Sequence, residues 1–301
     1  MMTRIAIASV LFIAATVTFT GAWILARRSF GGGTAQGATT MQSAPAWLGS
    51  DTPEFHDSFS TNAALREAAR AEASANSYWW LQSGGMAEFR NGRARTLQET
   101  PAPHAEWRRV YAARHPADSD NGRHPQNIFR LVTRSHWQDS AQQIYARIIR
   151  YHPSASSNRN GSNGIYLLAR YQDAQNFYSA GMRVDGTAAI VKTTDGVSSE
   201  LARTALFAER AYDRQKNPQL LPKDTWIGLK ARTLNRHDGG VTITLAVDIG
   251  ATGNWTSVLQ VVDDGKTFGG PPHAEFGAAG IRSDFMDAEF DNYAIARQRI
   301  E

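Results

Sequence analysis

The chain has 301 residues, with 32 Lys and Arg, 28 Asp and Glu, and no cysteine. Disulfides, cysteine nucleophiles, thiolate metal centres and a lipidated cysteine are therefore excluded, and packing has to hold the domain together. Arg4, Arg27 and Arg28 lie in the first 50 residues, which carry no acid; the rest has 29 cations against 28 anions, a balance that argues against binding nucleic acid through charge.

Residues 5–26 form a run of 22 without a charge, bordered by Arg4 and by Arg27-Arg28. That length suits a membrane-spanning helix. We read 1–28 as an N-terminal anchor; a signal peptide cut near Thr20-Gly21-Ala22 is the competing reading. Either one sends the protein out of the cytoplasm, anchored to the membrane or, after cleavage, periplasmic or secreted. Residues 29–50, rich in Gly, Thr, Ala, Ser and Gln, read as a flexible linker. Residues 51–301 read as one domain.

In that domain, 54–60 (EFHDSFS) reads as a first strand and the Ala-rich stretch 61–75 as a surface helix. Residues 78–81, 86–89 and 93–97 read as strands, the last two joined by Asn91-Gly92, a dipeptide that supplies the positive φ of a tight hairpin. Residues 100–123 carry three prolines and the polar run DSDNG, and read as loop. That run lacks the twelve-residue frame of a calcium loop. Strands follow at 127–134 and 142–151. Alternation places Phe129 and Leu131 opposite Arg130 and Arg134, and Ile144, Ala146 and Ile148 opposite Tyr145, Arg147 and Tyr151.

The stretch 163–196 organises the rest. It predicts three consecutive antiparallel strands, 164–171, 176–184 and 187–192, closed by turn residues. With Asp185-Gly186 as a two-residue turn, Arg183 pairs with Ala188, Gly181 with Ile190 and Ser179 with Lys192; across the other loop Arg170 pairs with Phe177 and Leu168 with Ser179. One face then collects Ile165, Leu167, Ala169, Tyr171, Tyr178, Ala180, Met182, Val184, Ala189 and Val191, a core face. The other holds small residues at its middle (Ser179, Gly181, Ala188), bordered by Tyr166, Phe177, Arg170, Arg183 and Lys192. Such a floor fits a sugar, and it equally fits an ordinary solvated sheet. A one-residue slip would invert the faces.

Beyond it, 198–222 reads as a helical insertion. Residues 226–234 and 241–248 read as a hairpin, and 257–262, 277–282 and 289–296 as closing strands. About a dozen short strands predict an all-β, two-sheet antiparallel sandwich.

In this order of elements the chain resembles the concanavalin A-like (laminin G-like) jelly-roll sandwiches. FHDSFS comes first, NGIYLLARYQDAQNFYSAGMRVDG lies mid-chain, WIGLKARTLNR and VTITLAVD follow, and GAAGIRSDFMDAEFDNYAI closes. The same elements are similar to bacterial exported domains of the keto-disaccharide hydrolase type. More faintly, QNIFRLVTR (126–134) and NFYSAGMRV (176–184) resemble two strands of alginate-lyase-type jelly rolls, whose Gln-x-His strand is absent here. The resemblance implies carbohydrate as the partner. It also implies a structural calcium between the first and last strands, at Asp57 and Asp291.

A glycosidase needs two carboxylates flanking the bond. The alternation that could supply them is Asp287-Ala288-Glu289-Phe290-Asp291, in a terminal strand to which the resemblance gives a structural role. The predicted polar faces instead gather Arg130, Arg134, Arg147, Arg170, Arg183 and Lys192, with Tyr145 as a stacking platform. On one shared sheet these would form a cationic surface suited to an acidic polysaccharide. Three readings stay open: a glycan-binding domain without chemistry, a lyase or glycoside hydrolase, and a non-catalytic cell-envelope interaction protein.

Overall fold

A computed structural model describes residues 53–207 and 209–298. The expected anchor and linker lie outside the described residues. Within them, no helix is long and apolar enough to cross a membrane.

In chain order the elements are β1 (Phe55–Asp57), β2 (Ala63–Arg66), β3 (Trp79–Ser83), β4 (Met86–Phe89), β5 (Ala94–Thr96), α1 (Glu106–Arg114), β6 (Ile128–Trp137), β7 (Ser140–Tyr151), β8 (Gly164–Asp173), β9 (Asn176–Arg183), β10 (Thr187–Thr194), β11 (Val197–Ala205), β12 (Trp226–Asn235), β13 (Val241–Ile249), β14 (Thr256–Asp263), β15 (Gly277–Asp284) and β16 (Met286–Arg297). They build two antiparallel sheets. The nine-stranded sheet runs β14-β13-β12-β7-β16-β5-β4-β2, with β1 also on β16; the seven-stranded sheet runs β11-β10-β9-β8-β15-β6-β3. The chain passes from one sheet to the other at Gln138-Asp139, between β6 and β7, and again at Phe285, between β15 and β16.

Alternation along each strand sends one set of side chains between the sheets. Phe129 of β6 stacks on Phe290 of β16 at 5.8 Å, and Trp79 of β3 meets Tyr293 of β16 edge-on at 4.9 Å. All four rings are fully buried. Truncating one to alanine would cost roughly 3–5 kcal/mol.

The central meander forms as the sequence predicts for β8 and β9. Ile165, Leu167, Ala169, Tyr178, Ala180, Met182 and Val184 all lie in the main core, and Leu168 pairs with Ser179. β10 is shifted by one residue: Ala188 pairs with Met182 and Lys192 with Tyr178. The turn is the cause. Only Gly186 has positive φ (81°), and Gly186 N–H donates to Arg183 O at 2.9 Å, so the loop holds three residues rather than two. Ala188, Ile190 and Lys192 therefore point inward, and Ala189 and Val191 outward. In β8 a bulge after Ala169 puts Arg170 at φ 52° and turns its side chain away from the expected face. Tyr171 joins a separate outer apolar cluster with Val132, Leu168, Phe177 and Ala278.

Three further expectations are corrected. Residues 61–75 form β2 and a short 3-10 turn at Ala71–Ala73 instead of a helix, because β2 pairs with β4. The expected helical insertion becomes β11 through Ala205, drawn onto the open edge of β10. The expected loop at 100–123 contains α1, whose Tyr111 hydroxyl donates to Glu67 Oε2 (2.5 Å) and accepts from Gly84 N–H (2.5 Å).

Candidate functional site

The outer face of the nine-stranded sheet carries the densest chemistry. Register places Asp248 of β13, Gly228 of β12, Tyr145 of β7 and Asp291 of β16 side by side across four strands. One row along, Trp226, Arg147, Glu289 and Arg95 are aligned in the same way. On the other side Lys230 is paired with Gln143.

Gly228 is the floor. A Cβ there would stand 2.7 Å from Trp255 Cη2 and 2.9 Å from Tyr145 Cε1, so only glycine lets both rings close over the strand. Trp255 lies over it and Trp226 stands two residues before it on β12, both partly exposed. Trp255 is tilted against Tyr145 at 5.6 Å, with Lys230 Nζ 4.2 Å from its ring centre. Trp226 is held by Arg147 and Arg93, at 5.0 and 5.5 Å. Burial pushes Lys230 down to about 8, with Asp248 opposing.

The carboxylates on this face have different employments. Glu289, almost fully buried, binds Arg95 (2.8 Å), Arg93 (3.3 Å) and Arg147. Asp248 closes a turn: its oxygens accept from Thr252 N and Oγ1 (both 2.9 Å), Gly253 N (2.8 Å) and the Tyr145 hydroxyl (3.1 Å). Asp291 is partly exposed and has no ion pair among the described residues. Burial raises its carboxyl to about 6; Arg93 opposes this and the neighbouring Glu289 reinforces it. Asp287, the third acid of the alternation, is turned aside by a bulge. It is buried against Gln126 (2.9 Å), Arg150 (2.6 Å) and His152 (3.0 Å).

Several buried polar atoms at this face have no hydrogen-bond partner among the described residues: Gln143 Oε1, Trp255 Nε1 and Arg147 Nε. An unpaired buried polar group costs about 1–3 kcal/mol, so a ligand that pairs with these atoms is favoured.

The sequence-predicted site residues do not share one surface. β7 crosses to the other sheet, which separates Tyr145 and Arg147 from Arg130, Arg134 and Arg183. Those three belong to the seven-stranded sheet, where Arg134 donates to Asn76 O (3.0 Å) and Arg183 pairs with Glu200. Arg170 and Lys192 are inside. Arg170 is 2% exposed and donates to the carbonyls of His273 (3.3 Å), Ala274 (2.5 Å) and Glu275 (3.2 Å). Lys192 is 1% exposed, 3.0 Å from Asp263 Oδ2, and donates to Gly270 O (2.7 Å). These two are internal braces for the 264–276 loop, displaced inward by the β8 bulge and the β10 slip. Tyr178 is buried as well, on the core face that alternation predicts, and donates to Asp263 (2.6 Å).

Asp57 and Asp291, the pair expected to hold calcium, stand on the paired strands β1 and β16. Asp57 lies opposite Tyr293, and its two oxygens accept from Trp79 Nε1 (2.8 Å) and Phe59 N (2.7 Å). Calcium needs six to eight oxygens. Among the described residues no group of three or more His, Cys, Asp or Glu could hold a metal ion.

Trp226, Gly228, Lys230, Asp248 and Trp255 escaped the sequence reading. The signal is present for the first three: W-x-G-x-K on 226–230 is one face of a strand. Trp255 comes from a loop, which alternation cannot orient.

No family model matches the chain, and no curated protein sequence matches it. Among solved structures it is similar to a carbohydrate binding module from Bacillus subtilis, at 15% identity over 56% of this chain and 81% of that one, with a TM-score of 0.38. It is similar to a protein of unknown function with a galectin-like fold from Bacillus subtilis, at 13% identity over 82% and 98%, with a TM-score of 0.43. A third is a prokaryotic β-1,3-1,4-glucanase (lichenase) derived from a mouse hindgut metagenome, at 9% identity over 81% and 99%, with a TM-score of 0.42. The assignment of this chain to the two-sheet antiparallel sandwiches rests on its own strand pairing.

Proposed function

We propose that the protein binds a glycan without cleaving it, on the outer face of the nine-stranded sheet above Gly228. The observation that carries this reading is the pair of partly exposed indoles on this face, Trp255 packed over Gly228 and Trp226 on the same strand as that glycine, beside Gln143 Oε1 and Trp255 Nε1, which have no hydrogen-bond partner among the described residues. Sugar rings present apolar C–H faces to indoles and hydroxyls that donate and accept, which suits this mixture. Two-sheet architecture with the last strand near the centre of one sheet supports the concanavalin A-like resemblance. Export, by anchor or by cleaved signal, is the location we assign from residues 5–26.

Binding is favoured over bond cleavage by the state of the carboxylates. Glu289 is clamped by three arginines and Asp248 by a turn, so of the acids in the two rows beside Gly228 among the described residues Asp291 remains, with Glu88 two strands further out on β4, where a glycosidase needs two carboxylates flanking one bond. The cations are equally engaged: Arg147, Arg183 and Lys192 each have an acidic partner. A neutral glycan therefore suits the Gly228 face better than the acidic one that free cations would favour.

The test is retention of the full chain on immobilised dextran, xylan, starch, alginate and pectate, with product analysis. Retention on a neutral polymer without products, lost at least tenfold in Trp255→Ala, supports the reading. Released sugars that disappear in Asp291→Asn would replace it with a hydrolase. Retention on none of the five would leave an interaction protein.

A further inference from the structure

The outer face of the seven-stranded sheet has an electrostatic oddity away from the Gly228 face. Arg130 of β6 and Arg282 of β15 are direct Cα partners, so their guanidiniums rise from adjacent strands on one side. Like charges opposed in a sheet repel. Arg282 is neutralised: its Nε lies 2.9 Å from Asp284 Oδ1, and its guanidinium sits over Tyr166 at 5.6 Å. Arg130 is not. Its one bond is from Nη1 to the neutral Gln82 Oε1 (3.2 Å), and it makes no ion pair among the described residues. Burial, and then the charge of Arg282, lower its proton affinity; Tyr171 and Asp284 act in the other direction.

Two buried donors accompany this excess charge. Arg130 Nε and the hydroxyl of Tyr171, itself 2% exposed, have no partner among the described residues. A stable sheet has no use for an unpaired guanidinium beside a second one and two unsatisfied donors. An anion presented to Arg130 would relieve all three penalties, and a planar fork suits a carboxylate or a sulfate.

We propose that Arg130, with Arg282 and Tyr171, forms a second ligand site on the opposite side of the sandwich, which takes the carboxylate or sulfate group of an acidic sugar. This site is independent of the neutral-glycan reading. The two sheets would give the protein two faces of different chemistry, and the cationic one needs a single anionic group rather than a continuous cationic groove.

The experiment is a melting series on the full chain with added galacturonate oligomers, dextran sulfate or neutral dextran, each at matched ionic strength, repeated on Arg130→Gln and on Trp255→Ala. Wild type should melt higher with either anionic probe and not with dextran alone. A shift with galacturonate identifies carboxylate, and one with dextran sulfate identifies sulfate. In Arg130→Gln the unliganded protein should melt no lower than wild type, since a like-charge contact is removed, and its affinity for the anion should fall at least tenfold. Trp255→Ala should keep the anion response, which separates this site from the Gly228 face. No anion-specific shift in wild type, or an undiminished shift in Arg130→Gln, overturns the proposal.

Discussion

Lys192 offers the sharpest test of how the interior is held. It is 1% exposed, 3.0 Å from Asp263, which is completely buried and also accepts from Tyr178 (2.6 Å) and the amide of Gly265 (3.1 Å). Lys192→Met keeps the bulk of the stem and removes the charge. Asp263 is then a buried anion without a counter-ion, a state that costs about 3–5 kcal/mol. For a domain of this size each kcal/mol moves the melting temperature by about 2–4 °C, so calorimetry should show a fall of about 6–20 °C. The double variant Lys192→Met with Asp263→Asn should recover half or more of that loss, because no uncompensated charge remains while an acceptor for Tyr178 is kept. Retention on the neutral glycan should be unchanged at temperatures where the variant is folded. A fall under about 2 °C, or a double variant no better than the single one, would refute the buried-brace account and return Lys192 to the surface role that alternation alone suggested.

Gly228→Ala should cost about 1–3 kcal/mol, because the added Cβ meets Trp255 and Tyr145 at 2.7 and 2.9 Å, and should lower glycan retention tenfold or more in affinity chromatography. Asp291 has its carboxyl raised to about 6, so the folded protein binds a proton there that the unfolded chain releases nearer 4. That contribution is fully present below pH 4 and is lost as pH rises through 6. Asp291→Asn should therefore stabilise the protein at pH 7 by about 1–3 kcal/mol and leave stability unchanged at pH 4, as read by urea titration at the two pH values. Arg170→Met should speed amide exchange across 273–276, where it holds the carbonyls of His273, Ala274 and Glu275, while leaving exchange in β7 and β16 unaltered.

What was legible in the chain was local. Two-fold alternation exposed the core faces of β7, β8 and β9, and Asn91-Gly92 and Asp195-Gly196 adopt the positive φ values their composition demands. The sandwich followed from the number of strands and the spacing of their turns. Local reading failed where one residue decided the outcome. The third residue of the 184–186 turn reversed β10 and carried Lys192 inside. The bulge at Arg170 did the same within β8. A strand's period of two makes every such slip a full inversion.

The grouping of side chains was a matter of tertiary structure alone. β6 and β7 are separated by two residues yet lie in different sheets, so Arg130 and Arg147, which one shared sheet would have put on a common surface, stand on opposite sides of the sandwich. Conversely, Asp248, Gly228, Tyr145 and Asp291 come from four strands spread over almost 150 residues and meet only because β13, β12, β7 and β16 are neighbours. Which strands are neighbours depends on how the sheets bury their apolar faces against each other. That is a property of the whole chain, and no window of its sequence contains it.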